Sequence, residues 1–261
     1  MVLAFIASTT VQAEQKANAI HQPWNELLNK HVKSINEGVS TQADYAGFKT
    51  EQAKLQTYLN TLSQVEKSDF DSWNKATQLA FLINAYNAWT VEFILSEYPK
   101  IDSIKDLGSF FSSPWRKEFI PLLGETRSLD NIEHTLIRGD NKYNEPRIHF
   151  AVNCASIGCP ALREQAYNAQ HLEQQLTHQT TRFLADKTRN YSDGDTLYLS
   201  SIFKWYQGDF EKGGAGTHSL ADFILLYPNA LNLTAQQQQQ LNNNTMKIKF
   251  LDYDWALNDS Q

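Results

Sequence analysis

The stretch QLAFLINAYNAWTVEFIL, residues 78–95, is apolar around most of the circumference of an α-helix. It belongs to a longer segment from Trp73 to Leu95 that contains neither proline nor glycine. A helix with this pattern is covered by protein on nearly every side, so we predict a central helix at about residues 72–95. Around it we expect shorter helices and a small antiparallel sheet, which together indicate a mainly helical α+β fold in a single domain.

Two asparagines, Asn84 and Asn87, are polar exceptions in the central helix. They lie three residues apart and therefore on neighbouring parts of its surface. A buried carboxamide without a hydrogen-bond partner costs on the order of 1–3 kcal/mol, so both side chains must be bonded. Two roles stay open for them: they hold the backbone of a neighbouring loop, or they contact a ligand.

The composition is that of a globular protein without a polyanion-binding surface. The chain has 261 residues, of which 41% are hydrophobic, and a formal net charge of -6. This charge provides no electrostatic footprint for phosphate backbones, so nucleic acid is not an expected partner. No later apolar run approaches the roughly 20 residues that a membrane span requires.

The N-terminus is typical of an export signal. Residues 1–8 form a short apolar run, and Val11-Gln12-Ala13 supplies small residues at the spacing that signal peptidase prefers. We therefore expect a signal peptide at residues 1–13, one mature domain at residues 14–261, and a periplasmic or secreted protein. The basic residues that usually precede such a run are missing, which leaves an ordinary apolar segment as the alternative.

Both cysteines of the chain lie in the stretch RIHFAVNCASIGCPAL, residues 147–162. Its β-forming residues give way to small residues and then to Gly158 and Pro160. This pattern predicts a strand over residues 147–153, a tight turn, and a helix that begins at Pro160. Reactive side chains often lie at such junctions, so we expect a polar pocket at this turn.

The segment before this stretch predicts a hairpin and a helix. Residues 119–129 are typical of two short strands that turn at Gly124. The helix that follows has Asp130 as its predicted N-cap and carries Glu133 and His134. These two side chains are candidates for acid–base chemistry.

Five motifs occur in order along the chain: LINAYNA (82–88), SLDNIEH (128–134), HFAVNCASIGCPAL (149–162), IFKWY (202–206) with Asp209-Phe210, and YDWALN (253–258). Together they resemble the family catalogued as domain of unknown function 547, and specifically its exported, single-domain bacterial type. No reaction is settled for that family, so the resemblance implies positions in a site and not an activity. The positions carried over are Asn84, Asn87, Glu133, His134, His149, Asn153, Cys154, Cys159, Lys204 and Asp209.

The first interpretation makes Cys154 the nucleophile of a thiol-dependent hydrolase that acts on amide or peptide-like envelope substrates. A thiol at the entrance of a helix gains thiolate character, and it needs a base that a third group orients. His149 and His134 are the candidate bases, and Glu133 is the candidate orienting group. The candidate oxyanion donors are Asn153, Ser156 and a backbone N–H.

The second interpretation joins Cys154 and Cys159 in a structural disulfide that pins the turn, as an oxidising compartment favours. The protein is then a non-catalytic module that binds a partner or a small polar or peptide-like ligand. The residues assigned to ligand binding under either interpretation are Asn84, Asn87, Asn153, Ser156, Arg147 and Lys204.

No cofactor or metal is predicted. The glycine-rich residues 211–217 lack the Gly-Lys-Ser/Thr ending of a phosphate-binding loop. The spacing of Cys154 and Cys159 is wider than that of the cysteine pairs in structural zinc sites.

Overall fold

The computed structural model describes residues 17–109 and 112–261. The signal peptide predicted at residues 1–13 lies outside the described residues. Among the residues that are described, no helix has both the length and the apolar character needed to cross a membrane.

Helices account for most of the regular structure. The α-helices are α1 (Gln22–His31), α2 (Tyr45–Thr50), α3 (Gln52–Ser63), α4 (Lys67–Ser72), α5 (Lys75–Leu95), α6 (Leu172–Ala185), α7 (Ser201–Trp205), α8 (Gln207–Glu211), α9 (Leu220–Leu225) and α10 (Ala235–Asn242). A π-helix spans Asn131–Ile137. Short 3-10 helices lie at Asn36–Gly38, Ile104–Leu107, Pro114–Arg116, Gly139–Asn141, Pro146–Phe150 and Gly214–Gly216.

The strands in the described part of the chain form three small sheets. They are β1 (Val32–Ile35), β2 (Ser40–Ala43), β3 (Ile120–Leu122), β4 (Glu125–Arg127), β5 (Tyr191–Asp193), β6 (Thr196–Ser200) and β7 (Lys247–Leu251). The pairs β1–β2, β3–β4 and β5–β6 are antiparallel, and β7 runs parallel to β6. The predicted α+β class, mainly helical with small antiparallel sheets, is confirmed.

The predicted central helix is α5. It begins at Lys75 because the Asn74 side chain caps it, accepting a hydrogen bond from the backbone N of Thr77 at 2.9 Å. Every residue from Thr77 to Val91 is buried, and α5 packs against α2, α3 and the π-helix. The apolar circumference read from the sequence therefore corresponds to a helix at the centre of the larger hydrophobic cluster.

The predicted hairpin is present, and the helix after it differs in its first turn. Leu123 and Gly124 join β3 to β4 with φ values of 55° and 79°, as a two-residue hairpin turn requires. Asp130 directly precedes the π-helix with helical φ and ψ of -57° and -42°, and its side chain makes no capping hydrogen bond. Ser128 accepts a hydrogen bond from the backbone N of Asn131 at 3.0 Å instead.

The predicted strand at residues 147–153 is wrong. Its first part is the 3-10 helix Pro146–Phe150, and the residues that follow join no sheet. The side chain of Asn87 takes the place of a strand partner there. It donates to the carbonyl O of Ala151 at 2.9 Å and accepts from the backbone N of Asn153 at 2.8 Å.

The predicted helix at Pro160 is also wrong, because residues 160–168 contain no helix or strand and α6 begins only at Leu172. A side chain again holds the backbone. Asn84 accepts from the backbone N of Tyr167 and donates to its carbonyl O, both at 2.9 Å. The two asparagines of the central helix therefore fix the loop on either side of the cysteines.

The C-terminal segment, residues 253–258, lies across residues 151–162, the cystine loop. Backbone N–H groups of Ile157 and Gly158 donate to the carbonyls of Ala256 and Asp254, both at 2.8 Å. This pairing brings the aromatic residues at the end of the chain to the cysteines.

Candidate functional site

Cys154 and Cys159 form a disulfide, with their Cα atoms 6.2 Å apart. The backbone N–H of Cys154 donates to Sγ of Cys159 at 3.0 Å, and the Tyr253 hydroxyl lies 3.1 Å from each sulfur. Cys159 is only 3% exposed, whereas Cys154 is partly exposed. The predicted Cys154–Cys159 disulfide is confirmed, and Cys154 is the more accessible of the two cysteines.

A cavity of about 210 Å³ opens beside this disulfide. Aromatic side chains, two carboxylates and two imidazoles contribute to its lining, which contains neither lysine nor arginine. The lining residues are Tyr86, Ser113, Trp115, Asp130, Glu133, His134, His149, Val152, Cys154, Cys159, Pro160, Ile202, Trp205, Tyr206, Tyr253 and Trp255. The catalytic candidates Cys154, His149, His134 and Glu133 thus share one cavity.

His149 is held by a carboxylate from α8. Its side chain is buried, its Nε2 lies 2.8 Å from Oδ2 of Asp209, and its ring stacks on Tyr206 with the centroids 3.8 Å apart. Because Nε2 donates to the carboxylate, Nδ1 is the nitrogen with a free lone pair, and it has no hydrogen-bond partner. Burial lowers the pKa of His149 although Asp209 acts in the opposite direction, so the imidazole is a free base at neutral pH.

Asp209 is the centre of a charged network behind the cavity. It accepts hydrogen bonds from Nε of Arg138 at 2.5 Å and from Nζ of Lys212 at 2.8 Å, besides that from His149. Burial alone would raise the pKa of this carboxyl, but the three donors lower it well below its usual range. Arg138 also contacts Nδ1 of His134. Asp209, and not Glu133, therefore orients a histidine.

Glu133 faces a different set of groups. Its side chain is buried, with 6% exposed, and it lies on the π-helix. The backbone N–H of Arg138 donates to the carbonyl of Glu133, five residues earlier, which is the hydrogen bond of a π-helix. Burial raises the pKa of Tyr86 and Tyr206, and the Glu133 carboxylate facing both phenols raises it further. Among the described residues, no lysine or arginine forms an ion pair with Glu133.

An aromatic wall closes the cavity on the side of the C-terminal segment. Trp205 lies 4.9 Å from Tyr253 and 5.8 Å from Trp255, and Trp115 lies 5.5 Å from Trp255, measured between ring centroids. Trp205 is 48% exposed, so this wall reaches the surface. Nζ of Lys105 lies over the Trp255 ring, 3.9 Å from its centroid.

The predicted oxyanion donors differ in whether their side chains are already engaged in hydrogen bonds. Asn153 is occupied, because its Nδ2 donates to the carbonyl of Pro160 at 2.8 Å and its Oδ1 accepts from the backbone N of Ala155 at 2.9 Å. Ala155 has a φ of 62°, an uncommon conformation for alanine that the Asn153 bond supports. The Ser156 hydroxyl lies 3.7 Å from Sγ of Cys154. It does not line the cavity.

The other predicted binding residues lie outside the cavity lining. Asn84 and Asn87 hold backbone, as described above. Arg147 forms ion pairs with Glu145 at 2.5 Å and Glu173 at 2.6 Å. Lys204 is exposed on α7. In the described ranges, no group of three or more histidine, cysteine or acidic residues is placed to hold a metal ion.

Sequence reasoning carried Asp209 over from the motifs without assigning it a role, and it missed the aromatic wall as part of the site. Asp209 follows Trp205-Tyr206 and precedes Phe210, and an acidic residue between aromatic residues is a signal that could have been used. The closing Tyr253 and Trp255 gave no local signal, because only the pairing of the C-terminal segment with the cystine loop brings them to the cysteines.

The fold and site define a class: an α+β domain with a cystine-lined, acid-rich aromatic cavity. Residues 70–184 match the model of a family described as "Protein of unknown function, DUF547", which supports the resemblance seen in the motifs. The matched region includes α5, the π-helix and the cystine loop. No curated protein and no solved structure matches the chain.

Proposed function

We propose that the cavity is the active site of a thiol-dependent hydrolase of amide or peptide-like substrates, with Cys154 as nucleophile and His149 as base. One observation carries this proposal: buried His149 is held by Asp209 through Nε2, has an unpaired Nδ1, and lines the same cavity as Cys154. His31 has the same arrangement, with Nε2 2.6 Å from Oε2 of Glu51 and an unpaired Nδ1, so the cavity shared with Cys154 is what distinguishes His149.

The proposed enzyme is active in its reduced form. An external dithiol reduces the disulfide, supplying two electrons and two protons, and becomes a disulfide itself. Nδ1 of His149 then takes the proton of the Cys154 thiol as the sulfur attacks the amide carbonyl. The C–N bond breaks, the amine leaves with the proton from His149, and water hydrolyses the thioester with His149 again as base.

Two neighbouring groups suit the remaining roles. Burial raises the pKa of the Tyr253 phenol, which therefore stays protonated and can donate to the oxyanion. Asp209 keeps its charge and stabilises the imidazolium, because its three donors hold its pKa low. Cys159 is the resolving thiol: when an external disulfide of the oxidising compartment is reduced to two thiols, it takes up the two electrons and two protons released as the Cys154–Cys159 bond forms again.

A second candidate function is a non-catalytic binding module. The observation that favours it is the disulfide itself, which occupies the proposed nucleophile and fixes one wall of the cavity. In this case the cavity binds its ligand in the oxidised form, and His149 serves only to shape it.

Alkylation kinetics separate the two functions without a known substrate. The reduced protein is treated with iodoacetamide between pH 5.5 and 9, and modification of each cysteine is followed by mass spectrometry. For a hydrolase we expect Cys154 to react at least about tenfold faster at pH 6.5 in the native chain than in His149→Gln. Equal rates that rise with the ordinary thiol pKa in both proteins would contradict the hydrolase. Hydrolysis of peptide p-nitroanilides, with and without dithiothreitol, then tests turnover directly.

We also propose that the protein is an exported bacterial protein that works outside the cytoplasm. The signal-like residues 1–13 and the Cys154–Cys159 disulfide both support this location, because disulfides persist in oxidising compartments. N-terminal sequencing of the protein recovered from the periplasm or the culture medium is expected to begin at Glu14. Recovery only from the cytoplasm, with residues 1–13 attached, would contradict it.

A further inference from the structure

We infer that the cavity takes a ligand that carries an ammonium group, so that a small amine or quaternary ammonium is the recognised part of the substrate. The inference rests on the proposed function, since it names the substrate class of that same site. The cavity combines two carboxylates with six aromatic side chains, and its lining contains no lysine or arginine.

The first support is the charge of the lining. Glu133 is buried, with only 6% of its surface exposed. The groups that face it are the neutral phenols of Tyr86 and Tyr206, and it has no cationic partner among the described residues. A buried carboxylate is most stable beside a cation. Asp130, at the same cavity, adds a second carboxylate that is 38% exposed.

The second support is the aromatic wall. Tryptophan and tyrosine ring faces attract alkylammonium groups through their quadrupoles, and the attraction grows when the site is shielded from water. Trp255 already holds the ammonium of Lys105 over one ring at 3.9 Å from the centroid, which shows that the wall accepts this chemistry. A carboxylate-bearing ligand would meet repulsion from Asp130 and Glu133 without any lysine or arginine of the lining to offset it.

The nearby cations of the network do not fill this role. Lys212 and Arg138 pair with Asp209, Arg138 also contacts Nδ1 of His134 and lies over the Tyr206 ring, 4.8 Å from its centroid, and Lys105 lies over Trp255. None of these cations belongs to the cavity lining. His149 donates its one proton to Asp209. Nε2 of His134 lies 3.6 Å from Oδ1 of Asp130, and no lysine or arginine of the described residues forms an ion pair with Asp130 or Glu133, so both carboxyl groups are available to a cationic ligand.

Three probes of nearly equal shape and different charge test the inference. They are choline, the neutral 3,3-dimethyl-1-butanol and the anionic 3,3-dimethylbutanoate, each titrated into the full oxidised chain and followed by calorimetry and tryptophan fluorescence. We expect choline to bind at least about tenfold more tightly than the neutral probe, and the anion to show no binding. Equal binding of choline and the neutral probe, tighter binding of the anion, or no binding of any probe would overturn the inference.

Variants place the binding in the cavity. Glu133→Gln and Trp205→Leu are each expected to weaken choline binding about tenfold. Trp73→Leu is the control, because Trp73 is a partly buried tryptophan that lines a different groove, and its replacement should leave binding unchanged. An effect of Trp73→Leu equal to that of Trp205→Leu would overturn the assignment.

The same titration in His149→Gln separates this inference from the proposed function. Choline should still bind more tightly than the neutral probe there, since this charge selectivity comes from Asp130 and Glu133 and needs no proton transfer. If the native chain hydrolyses amides in a thiol-dependent way but binds choline no more tightly than the neutral probe, only the ligand class is overturned. Retained selectivity with an unreactive Cys154 would overturn only the hydrolase.

Discussion

The side chain of Asn87 holds the backbone of Asn153, accepting its N–H at 2.8 Å. The same carboxamide donates to the carbonyl of Ala151 at 2.9 Å, so it fixes both sides of Val152, which lines the cavity. One residue of the central helix therefore positions the loop that carries Cys154. The helix and the cystine loop act as one structural unit, although 66 positions separate Asn87 from Asn153.

Replacing Asn87 should destabilise this unit. Asn87→Ala leaves the buried backbone N–H of Asn153 and the carbonyl of Ala151 without their partners, so we expect the free energy of unfolding to fall by about 2–3 kcal/mol. Urea denaturation measures the change. Asn60→Ala is the matched control, because Asn60 is an exposed asparagine within α3 and gains the same helix propensity. Equal stability of the two variants would show that the Asn87 contacts contribute nothing.

The fold was predictable where a local pattern has a single physical solution. An apolar segment without glycine or proline predicts the buried α5, and Gly124 predicts the hairpin turn. The prediction of a strand at residues 147–153 was wrong because its alternating β-forming residues have another explanation. Ile148 belongs to the larger hydrophobic cluster and Phe150 to the smaller one, so the alternation reflects a segment that passes between two clusters.

The sequence predicted several residues of the cavity but not the contacts that connect them. The cysteines and His149 lie within one short stretch, and their shared cavity follows from that proximity. The partner of His149 lies 60 positions away, on a helix whose packing no local pattern specifies. The same holds for Tyr253, which lies 99 positions from Cys154.

Gly158→Ala should disturb the contact between the cystine loop and the C-terminal segment. A Cβ at this position would lie 2.9 Å from the carbonyl O of Asp254 and 2.9 Å from the Tyr253 ring. We expect a loss of about 1–3 kcal/mol in stability and a changed near-ultraviolet circular dichroism spectrum, because the Tyr253 ring must move. Gly208→Ala is the control, since nothing lies within 4 Å of its added Cβ. An unchanged spectrum for Gly158→Ala would contradict the prediction.

His21 should make the protein less stable in mild acid. It is buried, its Nδ1 lies 2.7 Å from the Tyr58 hydroxyl, and burial lowers its pKa to about 3. The unfolded chain, with a histidine pKa near 6.5, binds the proton first as the pH falls. Stability is therefore full above about pH 6.5 and decreases towards pH 3, with a loss from this group of about 2 kcal/mol by pH 5.

The His21→Gln variant tests that sign. Its stability should fall by about 2 kcal/mol less between pH 7 and pH 5 than that of the native chain, as measured by urea denaturation at each pH. His149 contributes in the same direction to both proteins and cancels in the comparison. His171→Gln replaces an exposed histidine and should follow the native profile. A native-like profile for His21→Gln would refute the assignment.

Asp209→Asn should slow the reaction of reduced Cys154 without preventing ligands from binding in the cavity. Asparagine can still accept a hydrogen bond from His149 but carries no charge to stabilise the imidazolium, so we expect iodoacetamide to modify Cys154 about tenfold more slowly at pH 6.5. At pH 9 the rates should converge, because the thiol ionises there without help; a general loosening of the fold would change both rates.

If hydrolysis is established, kcat should fall on the order of 10³-fold with KM nearly constant, since Asp209 does not line the cavity. Asp71→Asn, at a surface carboxylate paired with Lys67, is the control. A pH profile identical to that of the control would show that Asp209 does not act through His149.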